Sequence, residues 1–314
     1  MKKLTHIFAA IALSAALTSC LLTHDVENSQ PLLVRCNPIL HPTTRTVAAE
    51  HAKSFPLDAD LGVRAYSLPR DRKWSNFSPA AATLLDNVQL VANPQDSLWY
   101  PPTDIVWDYN KSLSIVAHSP HSLPTTYHTH YGLSIENYDT EAAPNTPVLY
   151  SNIIADLLPE ENKLGINIPL QHALCKVDVK VRTVLVEPQY MVVREIALEQ
   201  IHTEGAFNSL PHPTWYPTSD LADVVLYSDE QGVKLPDNND HTLDESARLL
   251  LPQISTTRLR IVADIMRGGL INSDTVLYSD PFAVQWFPGK YYTYSLELSA
   301  DKVKIYTPQT DNFE

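Results

Sequence analysis

Apolar and polar positions alternate most plainly after Leu174: Val177, Val179 and Val181 fall on one face, Lys176, Asp178 and Lys180 on the other. That period of two predicts a half-buried antiparallel strand, with one face on a core and one in water. A second run follows the turn at Glu187-Pro188, where Met191, Val193, Ile196, Leu198 and Ile201 alternate with Val192, Arg194, Glu195, Glu199 and Gln200. Its phase slips once near Arg194-Glu195, as a bulge would make it do, and the ribbon is expected to turn at Gly205. Shorter strands are predicted at 61–66, 113–117, 223–227, 248–251, 259–265, 275–278, 292–298 and 303–306. A hairpin around Asn93-Pro94 joins 87–91 to 98–100. Short, evenly spaced strands closed by prolines are the pattern of β-sandwiches.

Composition agrees. The chain has 24 prolines and 8 glycines. Prolines cap edges and stiffen loops, and few glycines leave little room for phosphate-cradling or nucleophile-elbow turns. Residues 1–19 read as a secretory signal, with Lys2 and Lys3, an apolar stretch and small residues, too short to span a membrane. Leu17-Thr18-Ser19-Cys20 fits a bacterial lipobox, so Cys20 is expected to carry the lipid and become the new N-terminus. Cleavage removes two lysines and no acid, so the formal charge passes from −13 to −15. Such an acidic chain excludes nucleic acid, which requires a basic face. The compartment permits a disulfide between Cys36 and Cys175, but Cys175 heads a strand as a small apolar residue does and is read as a buried thiol.

The 295 residues after the signal exceed the roughly 100–200 of one domain, so two are expected. Residues 20–54 form a lipidated leader, 55–164 the first domain and 165–314 the second, with the boundary in the polar turn 159–165.

Ordered motifs resemble the fimbrillin family of Gram-negative surface lipoproteins. They are Phe55-Pro56 with Leu61-Gly62-Val63; Trp99, Pro102 and Trp107; the stretch 113–120; Ala155 to Leu158; His172, Ala173, Leu174, Lys176 and Val177; Thr203-Glu204-Gly205 before Trp215; Pro252-Gln253; and Trp286, Gly289, Lys290, Tyr292 and Tyr294. His118 departs from the family, where an aromatic residue is usual. The resemblance covers most of 55–313. It implies an all-β fold of two transthyretin-like antiparallel β-sandwich domains in tandem. It also implies a non-enzymatic fimbrial subunit, exported as a lipoprotein, palmitate-bearing, to the cell outer membrane and surface fimbria. An arginine-specific protease would remove the first strand, and a segment of a neighbouring subunit would replace it. The removable strand is then Leu32, Leu33, Val34, Arg35 and Cys36, and the cut follows Arg45, with Arg35 and Arg64 as alternatives, of which Arg64 is the least favoured because it falls inside a predicted strand. Partners are other fimbrial subunits, the protease, the outer membrane through the lipid, and host or bacterial surfaces. Eight residues follow Tyr306, so a donor segment would have to come from 292–306 or be absent, and a shortened donor end would point to a tip or anchor subunit.

No catalytic motif is present: no G-x-S-x-G, H-E-x-x-H, P-loop or Rossmann glycine triplet. No cofactor is expected. His128 and His130 would share a strand face, and with His118 or His121 could bind zinc or copper; a solvated, proline-interrupted loop is the preferred reading. Trp99, Tyr100, Trp107 and Tyr109 could stack sugars, as in a surface glycan-binding lipoprotein, but aromatics at alternating positions favour packing. A secreted hydrolase would need a cleft of facing carboxylates.

Overall fold

The computed structural model describes residues 34–40, 53–74, 82–235 and 237–313. Cys20, Leu32, Leu33 and Arg45 lie outside them. Strands form where the alternation said they would, and they gather into four sheets. The first, of ten strands, runs β4 (Ala82–Gln89), β3 (Gly62–Pro69), β7 (Lys111–Ser119), β10 (Leu149–Tyr150), β12 (Ile166–His172), β1 (Cys36–Leu40), β6 (Leu98–Tyr100), β5 (Val91–Asn93), with β11 (Ile154–Leu157) on β7 and β2 (Lys53–Ser54) on β1. The second runs β18 (His241–Thr242), β13 (Cys175–Thr183), β23 (Lys290–Leu298), β24 (Val303–Ile305), with β19 (Arg248–Leu250) on β13 and β25 (Gln309–Asn312) on β23. The third is β17 (Leu221–Leu235), β14 (Tyr190–His202), β20 (Ile254–Arg267) and β21 (Leu270–Tyr278), with β22 (Phe282–Gln285) on β20. The fourth is β16 (Thr214–Pro217), β15 (Glu204–Asn208), β9 (Gly132–Asp139) and β8 (Thr125–His128). Among the described residues no α-helix forms, and the all-β class holds. Two ladders within the sheets are parallel, β1 on β12 and β13 on β23.

The C-terminal core is a sandwich of the second and third sheets. Val177, Val179 and Val181 of β13 and Leu296 and Leu298 of β23 belong to the same buried cluster as Ile196, Leu198, Leu259 and Ile261. The expected bulge is present, since the register of β14 slips between Val193 and Glu195 on both its neighbours. Asp178 does not face water. It is 6 % exposed and accepts hydrogen bonds from Tyr291 Oη at 2.7 Å, from the Val179 amide at 2.8 Å and from Ser246 Oγ. A partnered carboxylate can be buried at a position that alternation alone assigns to solvent. Gly205 is not a turn either. It sits within β15, where an added Cβ would come 3.1 Å from the Tyr216 carbonyl oxygen, so the glycine allows close strand packing.

The two halves of the chain are not cleanly parted. β12 pairs with β10 and β1, so the crossing into the second sheet comes at Ala173-Leu174 rather than in 159–165. β9 of the first half pairs with β15 of the second, and Phe207 lies opposite Ile135. A third core fills this junction, with Val116, Leu133, Ile135 and Tyr150 from one side and Phe207, Trp215, Leu249 and Leu251 from the other.

Candidate functional site

The strand nearest the leader is set inside the first sheet, not on its rim. β1 lies between β12 and β6, paired in parallel from Cys36 opposite Ile166 to Leu40 opposite Leu170, with Cys36 also opposite Trp99. Ile39 and Leu40 pair with β2. Val34 and Arg35 lead in: the Val34 amide donates to the Ile105 carbonyl and the Ile166 amide to the Arg35 carbonyl, each at 2.9 Å. Asn37 Nδ2 donates to Asn167 Oδ1 at 2.9 Å, linking the two parallel strands through side chains as well. Withdrawing such a strand bares backbone groups on both neighbours and the apolar core beneath. Val34 and Cys36 belong to that core, with Phe55, Trp99, Ile166, Ile168 and Leu170. The described strand runs Cys36–Leu40 with Cys36 and Pro38 facing inward, and of the expected 32–36 the residues Leu32 and Leu33 lie outside the described residues.

Both alternative arginines are held. Arg35 gives a guanidinium hydrogen bond to the Lys163 carbonyl, and its own carbonyl is engaged by Ile166. Arg64 lies within β3, donating Nη2 to the Thr125 carbonyl at 2.6 Å and pairing with Asp86. Cys36 and Cys175 are both free and buried. Burial pushes the Cys36 thiol up to about 12 and the Cys175 thiol higher still, so both are protonated and unreactive at neutral pH.

The histidines do not converge. His118 is fully buried on β7, its ring against the bare face of Gly62, and burial lowers its pKa to about 4. His121 contacts the Asn87 carbonyl at 2.9 Å, while His128 closes β8 and His130 falls in the turn before β9. The last two thus fail to share a strand face, because β8 stops at His128. Among the described residues no three His, Cys, Asp or Glu side chains form a metal-binding group. The tryptophans expected as an alternative sugar platform are core: Trp99 is 2 % and Trp107 4 % exposed, with Trp99 against Phe55 at a centroid distance of 5.4 Å.

Tyr292 to Tyr306 is not a free segment. β23 pairs with β13 from Tyr291 to Leu298 and buries Tyr292, Tyr294, Leu296 and Leu298. Among the strands that sequence reasoning missed is β25, which folds back along β23 and delivers Phe313 onto His172, rings stacked at 3.9 Å. Its residues, Gln309 to Asn312, are polar and give no alternation to detect. Beside that stack, where β1 ends, is an apolar cavity of about 330 Å3 lined by Leu40, Phe55, Ala59, Leu149, His172 and Phe313 among others.

Residues 60–310 match the family model described as fimbrillin-like. No curated protein sequence matches the chain. Among solved structures, the fold is similar to that of a fimbrial protein from Bacteroides vulgatus, at 13 % identity and TM-score 0.55, covering 89 % of this chain and 99 % of that one. It is also similar to a candidate cell adhesion protein from Bacteroides uniformis, at 14 % identity and TM-score 0.52, covering 90 % and 99 %. A third, a candidate cell adhesion protein from Parabacteroides distasonis, has 8 % identity and TM-score 0.52, covering 90 % and 97 %.

Proposed function

The chain belongs to the fimbrillin-like family, and from that membership we propose that it is a non-enzymatic structural or adhesive subunit of a cell-surface fimbria. It is exported as a lipoprotein through Cys20, held at the outer membrane by its acyl chains, and released for assembly by an arginine-specific protease that cuts after Arg45. β1 then leaves, and a strand of a neighbouring subunit takes its place between β12 and β6. Head-to-tail repetition of that step gives an open filament.

The observation that carries this reading is the place of β1. A five-residue strand with a proline in it, held on both sides, plugs a sheet interior. It is joined to β2 by residues 41–52, which contain Arg45. One cut in that connection frees β1 from the body of the chain while leaving every other described strand covalently intact.

Intact mass and N-terminal sequence of protein recovered from cells, with and without an arginine-specific protease, test it. The expected product is a lipid-free chain starting at Thr46 that runs as a ladder on unboiled gels, and Arg45→Ala abolishes both changes. A diacylated monomer that keeps β1 in the presence of the protease overturns the proposal. The glycan-binding alternative has no support from Trp99 and Trp107, which are closed in the core.

A further inference from the structure

β1 and β12 start at the same end of the first sheet, since Cys36 lies opposite Ile166 in a parallel ladder, and β6 finishes there because it runs antiparallel to β1. β3 and β11 also finish at that end and β7 starts there, with Pro69 opposite Lys111 and Leu157 opposite Leu113. The loops 70–74, 101–110 and 158–165 therefore gather around Val34. Hydrogen bonds join them into one rim. Arg70 donates Nη1 to the Tyr109 carbonyl at 3.2 Å and pairs with Glu160, Arg35 donates to the Lys163 carbonyl, and the Val34 amide donates to the Ile105 carbonyl at 2.9 Å. Apolar side chains stand out of this rim: Leu164 is 87 % exposed, Val106 57 % and Tyr109 47 %. Arg72, Lys73, Lys111 and Lys163 are exposed beside them. Residues 34–35, 69–74, 100–111 and 157–165 hold six basic and five acidic residues, whereas the whole sequence has 23 against 36. The rim thus escapes the acidity of the rest of the chain, and exposed apolar side chains grouped with cations mark a contact surface.

Resting on the reading that Cys20 carries the acyl anchor, we infer that this rim lies on the bilayer that holds those acyl chains. Thirteen residues, 21–33, separate Cys20 from Val34, a length that spans at most about 50 Å even when fully extended. The anchor therefore keeps the end of the body at which Val34 enters close to the headgroups. The chemistry of the rim fits that neighbour. Leu164, Val106 and Tyr109 enter the boundary between headgroups and acyl chains, where apolar and aromatic side chains partition. Arg72, Lys73, Lys111 and Lys163 meet the phosphates of anionic lipid. The acidic remainder of the chain is repelled by the same surface, so charge as well as the tether selects this orientation. β12 runs from the rim toward Ala173-Leu174, where the chain crosses into the second sheet, so the C-terminal sandwich is held outward from the membrane.

The test uses the full chain recovered from cells, shown by intact mass to carry its acyl chains and reconstituted in vesicles of phosphatidylcholine and phosphatidylglycerol that contain a doxyl-labelled phospholipid. Leu164→Cys, Val106→Cys and, as the distant control, Val186→Cys are each labelled with bimane. Cys36 and Cys175 are buried and Cys20 is blocked by its lipid, so the label goes to the new thiol. Val186 is 75 % exposed and follows β13 at its end away from the junction with the first sheet. The lipid is expected to quench bimane at 164 and 106 and to leave it unchanged at 186. Arg72→Glu with Lys73→Glu, or vesicles of phosphatidylcholine alone, should remove about half of that quenching. Labels at 164 and 106 that are quenched no more than the one at 186, in a chain that is acylated and vesicle-bound, overturn the docked rim while the anchor stands. Quenching at 164 and 106 that ignores both the charge reversal and the anionic lipid overturns the contact with phosphates. A recovered chain without acyl mass overturns the anchor, and the docked rim falls with it.

Discussion

His118 and His172 are buried without a charge partner, and desolvation holds each near a pKa of about 4, below the ordinary 6.5. A backbone hydrogen bond with His121 works against that shift at His118, while the charges of Arg64 and His121 push with it. The sign follows from proton counting. Below pH 6.5 the unfolded chain takes up protons that the folded chain refuses, so their contribution is full above 6.5 and is lost as pH falls toward 4. The slope is about 1.4 kcal/mol per pH unit for each histidine. Urea midpoints at pH 7.5 and 5.0 should differ accordingly, and replacing both histidines by glutamine should flatten the profile; a pH-independent wild type would contradict the assignment. Gly62 belongs to the same site. An added Cβ would sit 2.7 Å from His118 Cε1, so Gly62→Ala should cost about 1–3 kcal/mol in thermal unfolding, and His118→Ala in the same chain should recover part of it. None of this was legible in the sequence. The apolar run 113–117 announced a strand, but whether its next residue turned inward was decided by the absence of a side chain at Gly62, on another strand.

At the scale of elements, β14 and β20 are laced across their outer face by a ladder of charges. Glu195 pairs with Arg260 at 2.8 Å, and Glu199, its side chain 8 % exposed, with both Arg260 at 3.3 Å and Arg258. Removing both arginines leaves a buried carboxylate alone. The double change Arg258→Ala with Arg260→Ala should cost about 3–5 kcal/mol, and adding Glu199→Leu should restore much of the loss in chemical denaturation. β1 carries its own reporter. With it in place Cys36 and Cys175 should both resist a thiol reagent at neutral pH and react only on unfolding, read by mass. Prompt labelling of the folded chain would mean that β1 is not seated as described. Alternation found β13, β14, β20 and β23 because each has one face on a core. It missed β9, where Asn137 at φ 53° breaks the phase, so that Leu133, Ile135 and then Tyr138 are the buried positions. It also stopped β17 at Tyr227, since the exposed stretch 228–231 is polar although the ladder with β14 continues to Leu235.

The whole molecule is tied together at a place the sequence suggested was a boundary. Polar residues in 159–165 looked like a linker, but a linker is marked by the absence of contacts across it, and Phe207, Trp215 and Leu251 pack against Leu133, Ile135 and Tyr150. Calorimetry should therefore give one cooperative transition, and Phe207→Ala should lower it by about 3–5 kcal/mol without splitting it. Two separated transitions in the wild type would show the halves to be independent. The parallel ladder of β1 on β12 has a consequence for how this body carries load. Chain ahead of Val34 leaves at one end of the ladder, and chain behind His172 leaves at the other. A pull between them slides the two strands along each other, so the five paired positions resist together and are not peeled in turn as in a hairpin. Forced release is governed by the rate of that single opening event. The connection 41–52 ties β1 covalently to the body of the chain as well, so the ladder does not carry the strand alone.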